Sequence, residues 1–554
     1  MNNSQIADHF TLVSKLMDIH GENSFKSKSY ANAAFNIDRL TIEISNMDDA
    51  ELYNIRGIGE AIGKKIRELQ TTGTFPVLES LLQVTPEGIL EMMRLKGLGP
   101  KKIGVIWKEL EIESVGELEY ACNENRLVTL KGFGAKTQEN ILQQIAYIKQ
   151  NEGFSLWAHV INIANLLINN LKGKYSNHLF ALAGAIRRQL ETVDHIDIVT
   201  DAPKKDIIEG FSNIVDMEVV DNGVSWIIKT PNNPSVNFIS TSKSNFYITL
   251  FKASAGEEFL TAFHERHKLP EEAESEEHIF AINNIPVVHP ALRETGKALD
   301  HAVHQLIQPN EVKGVIHSHS TWSDGANTLE EMAKGAIDKG YEYLVISDHS
   351  QAAFYANGLT PQRIAQQHIE IDALNEKLAP FKIFKSIEAD ILNDGSLDYT
   401  PAVLNTFDLV IGSVHSNLRM SEEKAMARVL AAIANPYLTI LGHPTGRLLL
   451  SRSGYSLDHK QIIDACAEHK VVIEINAHPR RLDMDWRWID YAMERDVLLS
   501  IDPDAHSIKG FEDIYYGVMI AQKGGLTASG NLSSFSLVEF EAFLEGYRRK
   551  KMIS

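Results

Sequence analysis

The stretch Gly314-Val-Ile-His317-Ser-His319-Ser-Thr-Trp-Ser-Asp324-Gly325 decides how the rest of the chain is read. It opens as a short apolar run, as a buried strand does. It ends in His317 and His319 and then turns at Ser323-Asp324-Gly325. Residues two apart on a strand project to one side, so both imidazoles are expected where strand gives way to loop. Neutral imidazole is a ligand for zinc, manganese or iron. A lone His-x-His is weak evidence, so its partners must come from elsewhere in the chain.

They come at regular intervals. From about residue 312 onward, apolar runs of the buried-strand kind alternate with helical patterns, spaced about thirty residues apart, the size of one βα unit. Val315-Ile leads to His317 and His319, Tyr343-Leu-Val-Ile-Ser to Asp348-His349, and Ile383-Phe-Lys-Ser-Ile to Glu388-Ala-Asp390. Leu409-Val-Ile-Gly-Ser-Val leads to His415, Leu438-Thr-Ile-Leu-Gly to His443, Val471-Val-Ile-Glu-Ile to Asn476, and Val497-Leu-Leu-Ser-Ile to Asp504-Ala-His506. Seven such units predict a closed parallel barrel whose strand ends converge on one mouth. One strand-end histidine is ordinarily structural; six of seven strands ending in a ligand-type residue are not.

This C-terminal segment, 311–554, resembles the polymerase-and-histidinol-phosphatase (PHP) family of metal-dependent phosphoesterases. The resemblance implies a trinuclear cluster held by His317, His319, Asp324, His349, Glu388, His415, His443, Asp504 and His506. A histidine-rich set with bridging carboxylates suits Mn2+ or Zn2+, or iron, better than Mg2+. Arg447, Arg480 and Arg481 are expected either to clamp phosphate or to form salt bridges within the barrel. Asp348 and Asp390 are expected to orient histidine ligands. Trp486 and Trp488 are expected to pack against the barrel.

The N-terminal third carries a repeat: Ile55-Arg-Gly57-Ile58-Gly59, Leu95-Lys-Gly97-Leu98-Gly99 and Leu130-Lys-Gly132-Phe133-Gly134. Each copy precedes a lysine-bearing helix, with Lys64 and Lys65, Lys101 and Lys102, then Lys136. Gly-apolar-Gly between helices makes a tight turn whose bare amides suit a phosphate. It resembles the helix-hairpin-helix motif, which grips DNA backbone without reading sequence. The third copy, with Lys136 alone behind it, is the most nearly structural. The first part also resembles the lyase-type domain of family X DNA polymerases. There a lysine at the position of Lys65 forms a Schiff base with an abasic sugar; a phosphate-contacting or solvated lysine is the competing reading.

Between these regions, Phe180-Ala-Leu-Ala-Gly184-Ala185-Ile-Arg187-Arg188-Gln-Leu-Glu191-Thr192-Val-Asp194-His195-Ile-Asp197 resembles the nucleotidyltransferase signature of family X polymerases. That chemistry needs carboxylates bridging two divalent metals. Here His195 takes the first Asp-x-Asp position, Asp197 keeps the second, and Asn237 takes the third. Ala185 replaces the signature serine, and Ala253-Ser254-Ala255 matches the later Thr-Gly-Ser. Mg2+ prefers hard oxygen ligands, so its retention at the palm is doubtful and polymerase activity is expected to be weak or lost. Arg187 and Arg188 remain candidate phosphate ligands.

The chain is thus expected to combine multidomain α and α/β structure. The parts are a lyase-like helical domain (1–90), a further helix-hairpin-helix region (91–152), a nucleotidyltransferase-like palm (153–240), a thumb-like segment (241–310) and a seven-stranded (β/α)7 PHP barrel (311–554). Hydrophobic content of 44% and charged content of 23% are those of a globular protein. No apolar run reaches membrane-span length, no secretory signal opens the chain, and two cysteines make no disulfide framework. A cytoplasmic protein without membrane contact is expected. The net charge of −19 confines nucleic-acid contact to local groups. The order of parts resembles bacterial family X DNA polymerases with a C-terminal PHP domain. That implies work in base excision repair on gapped, nicked or abasic duplex and on 3′ ends. The expected activity is a metal-dependent 3′→5′ exonuclease, with abasic-site cleavage as a companion. A working gap-filling polymerase and a small-monoester phosphatase are the alternatives.

Overall fold

The computed structural model describes residues 1–554 except 41, 125, 151–152, 213, 215, 224, 231–233, 301–304, 419 and 554. The chain forms two compact units, Met1–Glu152 and Gly153–Ser554. Among the described residues no helix is long and apolar enough to cross a membrane.

The first unit is helical. Its first helix, Asn3–His20, starts at Asn2, which exchanges capping bonds with Gln5, and ends at left-handed Gly21. The repeat folds as three similar turns. Gly57, Gly97 and Gly132 are all left-handed, with φ of 83°, 86° and 90°. The apolar residue that follows each one, Ile58, Leu98 or Phe133, is buried and pins the turn to the core. Gly59 and Gly99 cap the helices Glu60–Thr72 and Pro100–Leu110, and Ala135–Gln150 begins directly after Gly134. The third copy differs on its leading side, where a short 3-10 turn, Leu127–Thr129, replaces an α-helix.

The second unit begins with a five-stranded mixed sheet. In spatial order its strands are Phe180–Ala183, His195–Thr200, Ser235–Ser240, Ser225–Lys229 and Glu218–Asp221. Apolar residues such as Ile196, Ile198 and Phe238 bury the face that packs on helix Trp157–Lys174. The thumb-like helices Phe246–Ala253, Glu257–Arg266 and Glu276–Ile282 enclose a phenylalanine core of Phe251, Phe259, Phe263 and Phe280. The acidic run 270–278 lies only partly at the surface. Glu276 is buried and pairs with Arg187 and the fully buried Arg293.

The barrel strands are Gly314–Ser318, Tyr343–Ile346, Lys382–Lys385 continuing as Glu388–Asp390, Ile411–Ser413, Ile440–Leu441, Val472–Asn476 and Leu499–Asp502. Every neighbouring pair is parallel. A bridge between Ser318 and Ala505 closes the ring from the last strand to the first. This is the seven-stranded barrel expected from the spacing. Its floor is apolar, where Ile316, Val345 and Ile440 meet Phe540 and Leu544 of the final helix, Leu537–Ile553. With one end plugged by packed side chains, polar residues at strand ends have only the opposite mouth to occupy.

Candidate metal centre

At that mouth the nine sequence-selected donors come together. Among the described residues, three groups each place their donor atoms within 4.8 Å of one another. These are His319, Asp324, His349 and His506; His317, His319 and Asp504; and His349, Glu388 and His415. His443 joins through Glu388, its Nε2 lying 2.9 Å from Oε1. Glu388 is the hub, with His349 Nδ1 at 2.9 Å and His415 Nε2 at 3.1 Å. Asp504 Oδ1 lies 3.1 Å from His319 Nε2, and Asp324 Oδ1 lies 3.5 Å from His506 Nε2.

The backbone reaches this arrangement by a route that pleat counting does not give. The first strand slips register between Val315 and Ser318, and His317 is left-handed at φ 60°. The two imidazoles still meet, with ring centroids 5.4 Å apart. Asp504 is also left-handed, at φ 50°. Non-glycine residues held there cost about 1–3 kcal/mol each, strain that gathers at functional sites.

Around the donors sits a layer of carboxylates, and the sequence reading overlooked its main member. Glu474 is fully buried inside the sixth strand and accepts a 2.5 Å bond from His317 Nδ1. Its other oxygen accepts from the His443 amide at 3.0 Å and from Asn476 Nδ2 at 2.9 Å. One side chain thereby fixes groups from three strands. The signal was available: a lone charge inside Val471-Val-Ile-Glu474-Ile, two residues before Asn476 and on the same face. Asp390 does what was expected of it, accepting from His415 Nδ1 at 3.2 Å. Asp348 does not. Its oxygens accept from Ser320, Ser323 and Gln367, so it folds the loop that carries Asp324 and holds no histidine.

The residues fit a metal cluster on their own chemistry. His317 Nε2, His319 Nδ1 and His443 Nδ1 are buried without a hydrogen-bond partner, and His349 Nδ1 and Glu388 Oε2, though 2.9 Å apart, are not aligned to bond. A buried polar atom left in that state costs about 1–3 kcal/mol, and a divalent cation relieves several at once. The charge pattern agrees. Burial opposes a charge on His317, yet Glu474, Asp504 and Glu388 hold its pKa well above the ordinary value. Against burial, Glu388 and Asp390 raise His415 to about 10, and Asp324 and Asp504 raise His506 to about 9. Burial, with the neighbouring His506 and His349, pushes His319 down to about 3. Glu388 and Asp504 stay well below the carboxylate range despite burial, because histidines surround them. Protons here do the charge-balancing that a metal would take over.

Other selected residues are engaged elsewhere. Arg447, expected to clamp phosphate or to form a salt bridge within the barrel, does the latter: its guanidinium bonds Asp485 at 2.6 Å and the backbone carbonyls of Arg481 and Leu482. Arg481 stands closer to the cluster, its Nε 3.7 Å from Asp504 Oδ2. Arg187 and Arg188, the candidate phosphate ligands of the palm, are paired within the protein. Arg187 donates to Ser254 and Glu276, Arg188 donates to Glu294, and together they tie the palm to the thumb-like helices. Trp488 stacks on His459 at 4.9 Å, a packing role.

Asp197, selected as the surviving palm carboxylate, is enclosed. Its Oδ1 lies 3.0 Å from His195 Nε2 and accepts from Asn237 Nδ2 at 2.7 Å. Strand register sets Asp197 directly beside Asn237. A Cβ at Gly184 would fall 1.7 Å from Asp197 Oδ2, so the other oxygen faces packed backbone. His195 is raised to about 8, chiefly by its bond to Asp197, against burial. A histidine and an amide both engage the one carboxylate here, and only Asn237 Oδ1 of the three side chains stays unpartnered, which is no cradle for Mg2+.

In the first unit, Lys65 donates to the Ala61 carbonyl at 3.0 Å, and Lys64 pairs with Glu60 at 2.6 Å. Lys102 lies 5.5 Å from the centre of the Phe133 ring, which joins the second hairpin to the third. A Cβ at Gly59, Gly99 or Gly134 would meet nothing within 4 Å. Any requirement for glycine there comes from something that docks, not from the fold.

A parallel barrel with a histidine-and-carboxylate mouth defines the class of metal-dependent phosphoesterase-like barrels, here joined to a palm and tandem hairpins. Family profiles agree: a PHP domain matches residues 316–478, a helix-hairpin-helix domain matches 1–75, and a SAM-like helix-hairpin-helix tandem matches 89–146. The chain is 34% identical over 571 aligned positions to the Bacillus subtilis protein named DNA polymerase/3'-5' exonuclease PolX, covering 98% of this chain and 100% of that one. It belongs to this family, the family X DNA polymerases with a PHP domain. A probable phosphatase of Caldanaerobacter subterraneus is 30% identical over 169 positions, 29% of this chain and 60% of that protein. One of Shigella dysenteriae is 27% identical over 243 positions, 42% of this chain and 82% of its own length.

Proposed function

We propose that this protein is a metal-dependent DNA phosphodiesterase of the PolX type that removes nucleotides 3′→5′ and acts in base excision repair. The observation that carries the reading is the set of buried, unpartnered donor atoms at the barrel mouth, in a chain aligned end to end with a relative named for both polymerase and exonuclease. His317, His319, Asp324, His349, Glu388, His415, His443, Asp504 and His506 would hold the cluster, as three manganese, zinc or iron ions. Bound there, the metals supply Lewis acidity and charge neutralisation at the phosphodiester. Glu474 and Asp390 fix the Nδ1 protons of His317 and His415 and so aim the Nε2 lone pairs inward. Arg481 replaces Arg447 as the candidate phosphate clamp. The hairpin amides and Lys64, Lys101 and Lys102 hold gapped, nicked or abasic DNA by its backbone. The palm serves as a scaffold that joins grip and barrel, with little synthesis of its own.

The test is a labelled primer in a gapped duplex, incubated with Mn2+ and the full chain, with and without nucleotides. Shortening is expected in both. Shortening must vanish in His317→Ala/His319→Ala. Lengthening with nucleotides would restore the palm to catalysis. A second reading, a phosphatase of small monoesters, is favoured by the probable phosphatases that match the barrel region. It is supported instead if phosphomonoesters are hydrolysed and the primer is untouched.

A further inference from the structure

Two large aromatic side chains stand largely in solvent beside the metal centre. Phe354 is 85% exposed and Tyr355 is 64% exposed. They form the short turn Phe354–Ala356, a few residues after the donor His349. The Tyr355 ring centre lies 6.5 Å from that of His349, and the Phe354 ring packs edge-on to Tyr355 at 6.0 Å. Burial, helped by the charges of Asp390, Glu388 and Asp324, raises the Tyr355 pKa to about 12. By its distance from His349, the Tyr355 ring borders the cluster.

The turn is held firmly. Ser350 pairs with Leu359 across its base, and the Leu359 amide donates to the His349 carbonyl at 2.9 Å. Gln351 donates to Tyr399, Ala352 to Asp398, and Arg363 to the Asn357 carbonyl. An ordered turn that holds a nearly bare phenylalanine in water gains nothing for the fold. Exposed aromatic faces beside a polar, charged centre are what a nucleobase stacks on.

We infer that Phe354 and Tyr355 form a stacking platform for the terminal bases of a DNA 3′ end whose phosphodiester lies at the metal centre. The inference rests on the nuclease reading above and adds to it the two residues that would hold the terminal bases. A 3′ end must be frayed or single-stranded to splay its bases onto the platform. Stacking is indifferent to base identity, because every base has a π-face, so degradation is expected without sequence preference. Phe354, the more exposed ring, receives the base, and Tyr355 buttresses it and closes the gap to His349.

The test compares two single-stranded oligonucleotides with the full chain and Mn2+. One carries 2-aminopurine as its 3′-terminal base; its twin carries abasic sugars at the last two positions. For the wild type, terminal fluorescence is expected to be quenched on mixing, and KM for the abasic twin to be at least about fivefold higher. In Phe354→Ala the quench is lost and the KM ratio falls below about twofold, whereas Phe354→Trp keeps both. An unchanged KM ratio in Phe354→Ala, or a wild-type ratio near one, overturns the platform while leaving the nuclease reading intact. If the wild type cuts neither oligonucleotide, the nuclease reading fails and the platform with it.

Discussion

The palm and the barrel mouth both set histidine among carboxylates at the end of a buried strand, and they differ in what is left over. In the palm, Asp197 is answered by both His195 and Asn237, and of these three side chains Asn237 Oδ1 alone is left buried without a partner. At the mouth, five donor atoms from His317, His319, His349, Glu388 and His443 are buried and make no hydrogen bond. A retained charge is therefore not the same as an available one. Asp197 survives in the sequence but is engaged in the fold; Glu388 is engaged only with other donors, all of which face the same space. The arginines repeat the lesson. Arg447, Arg187 and Arg188 lie in tempting positions and are paired, while Arg481 is the one beside Asp504.

The sharpest way to break the comparison is to neutralise one carboxylate on each side. Glu388→Gln is expected to lower 3′-end hydrolysis at least about a hundredfold in single-turnover assays. Asp197→Asn should leave that rate within about twofold, since distant sites act independently. Equal losses in the two variants would mean that the palm takes part in the chemistry. Next in size, Glu474→Gln is expected to weaken metal binding about 10–100-fold, read by competition with a chromophoric chelator. Unaltered affinity would show that His317 needs no such partner.

The arginines give a smaller effect. Arg481→Ala should raise KM for a DNA 3′ end about tenfold, through one lost charge-assisted contact. Arg447→Ala should leave KM alone and lower Tm, because it removes one of the two arginines that pair with the half-buried Asp485 and leaves it Arg487 alone. A KM effect from Arg447→Ala would reinstate it at the phosphate. The smallest effect is a pH dependence of the palm. His195 has a folded pKa of about 8 against an ordinary 6.5. Its contribution to stability is then fully present below about 6.5 and lost as pH rises through about 8. The urea midpoint should fall between pH 6 and pH 9, and His195→Asn should remove that part of the fall. An identical fall in the variant would detach His195 from Asp197.

Much of the metal centre was legible because parallel barrel strands are apolar runs, so a histidine, glutamate or aspartate closing each run stands out. The hairpins were legible for a related reason: Gly57, Gly97 and Gly132 recur with the same neighbours and adopt the same left-handed backbone. Glu474 was visible as a charge in an apolar strand but had no assigned partner until His317 was seen across the barrel. The slip at Val315–Ser318 could not be read, because pleat alternation assumes a regular strand. Asp348 was misassigned because it stands next to His349 in sequence while its partners, Ser320, Ser323 and Gln367, do not.

Taken alone, the sequence determined the alternation of strand and helix, the residue type that closes each strand, and the repeated glycine turns, all of which follow from local pattern and period. Only the tertiary structure decided which polar atoms have partners. Arg187 finds Glu276, Arg447 finds Asp485, and His317 finds Glu474 across long stretches of chain. Hydrogen-bond satisfaction belongs to neighbours in space, so no reading of period or composition can say whether a conserved-looking charge is still free to act.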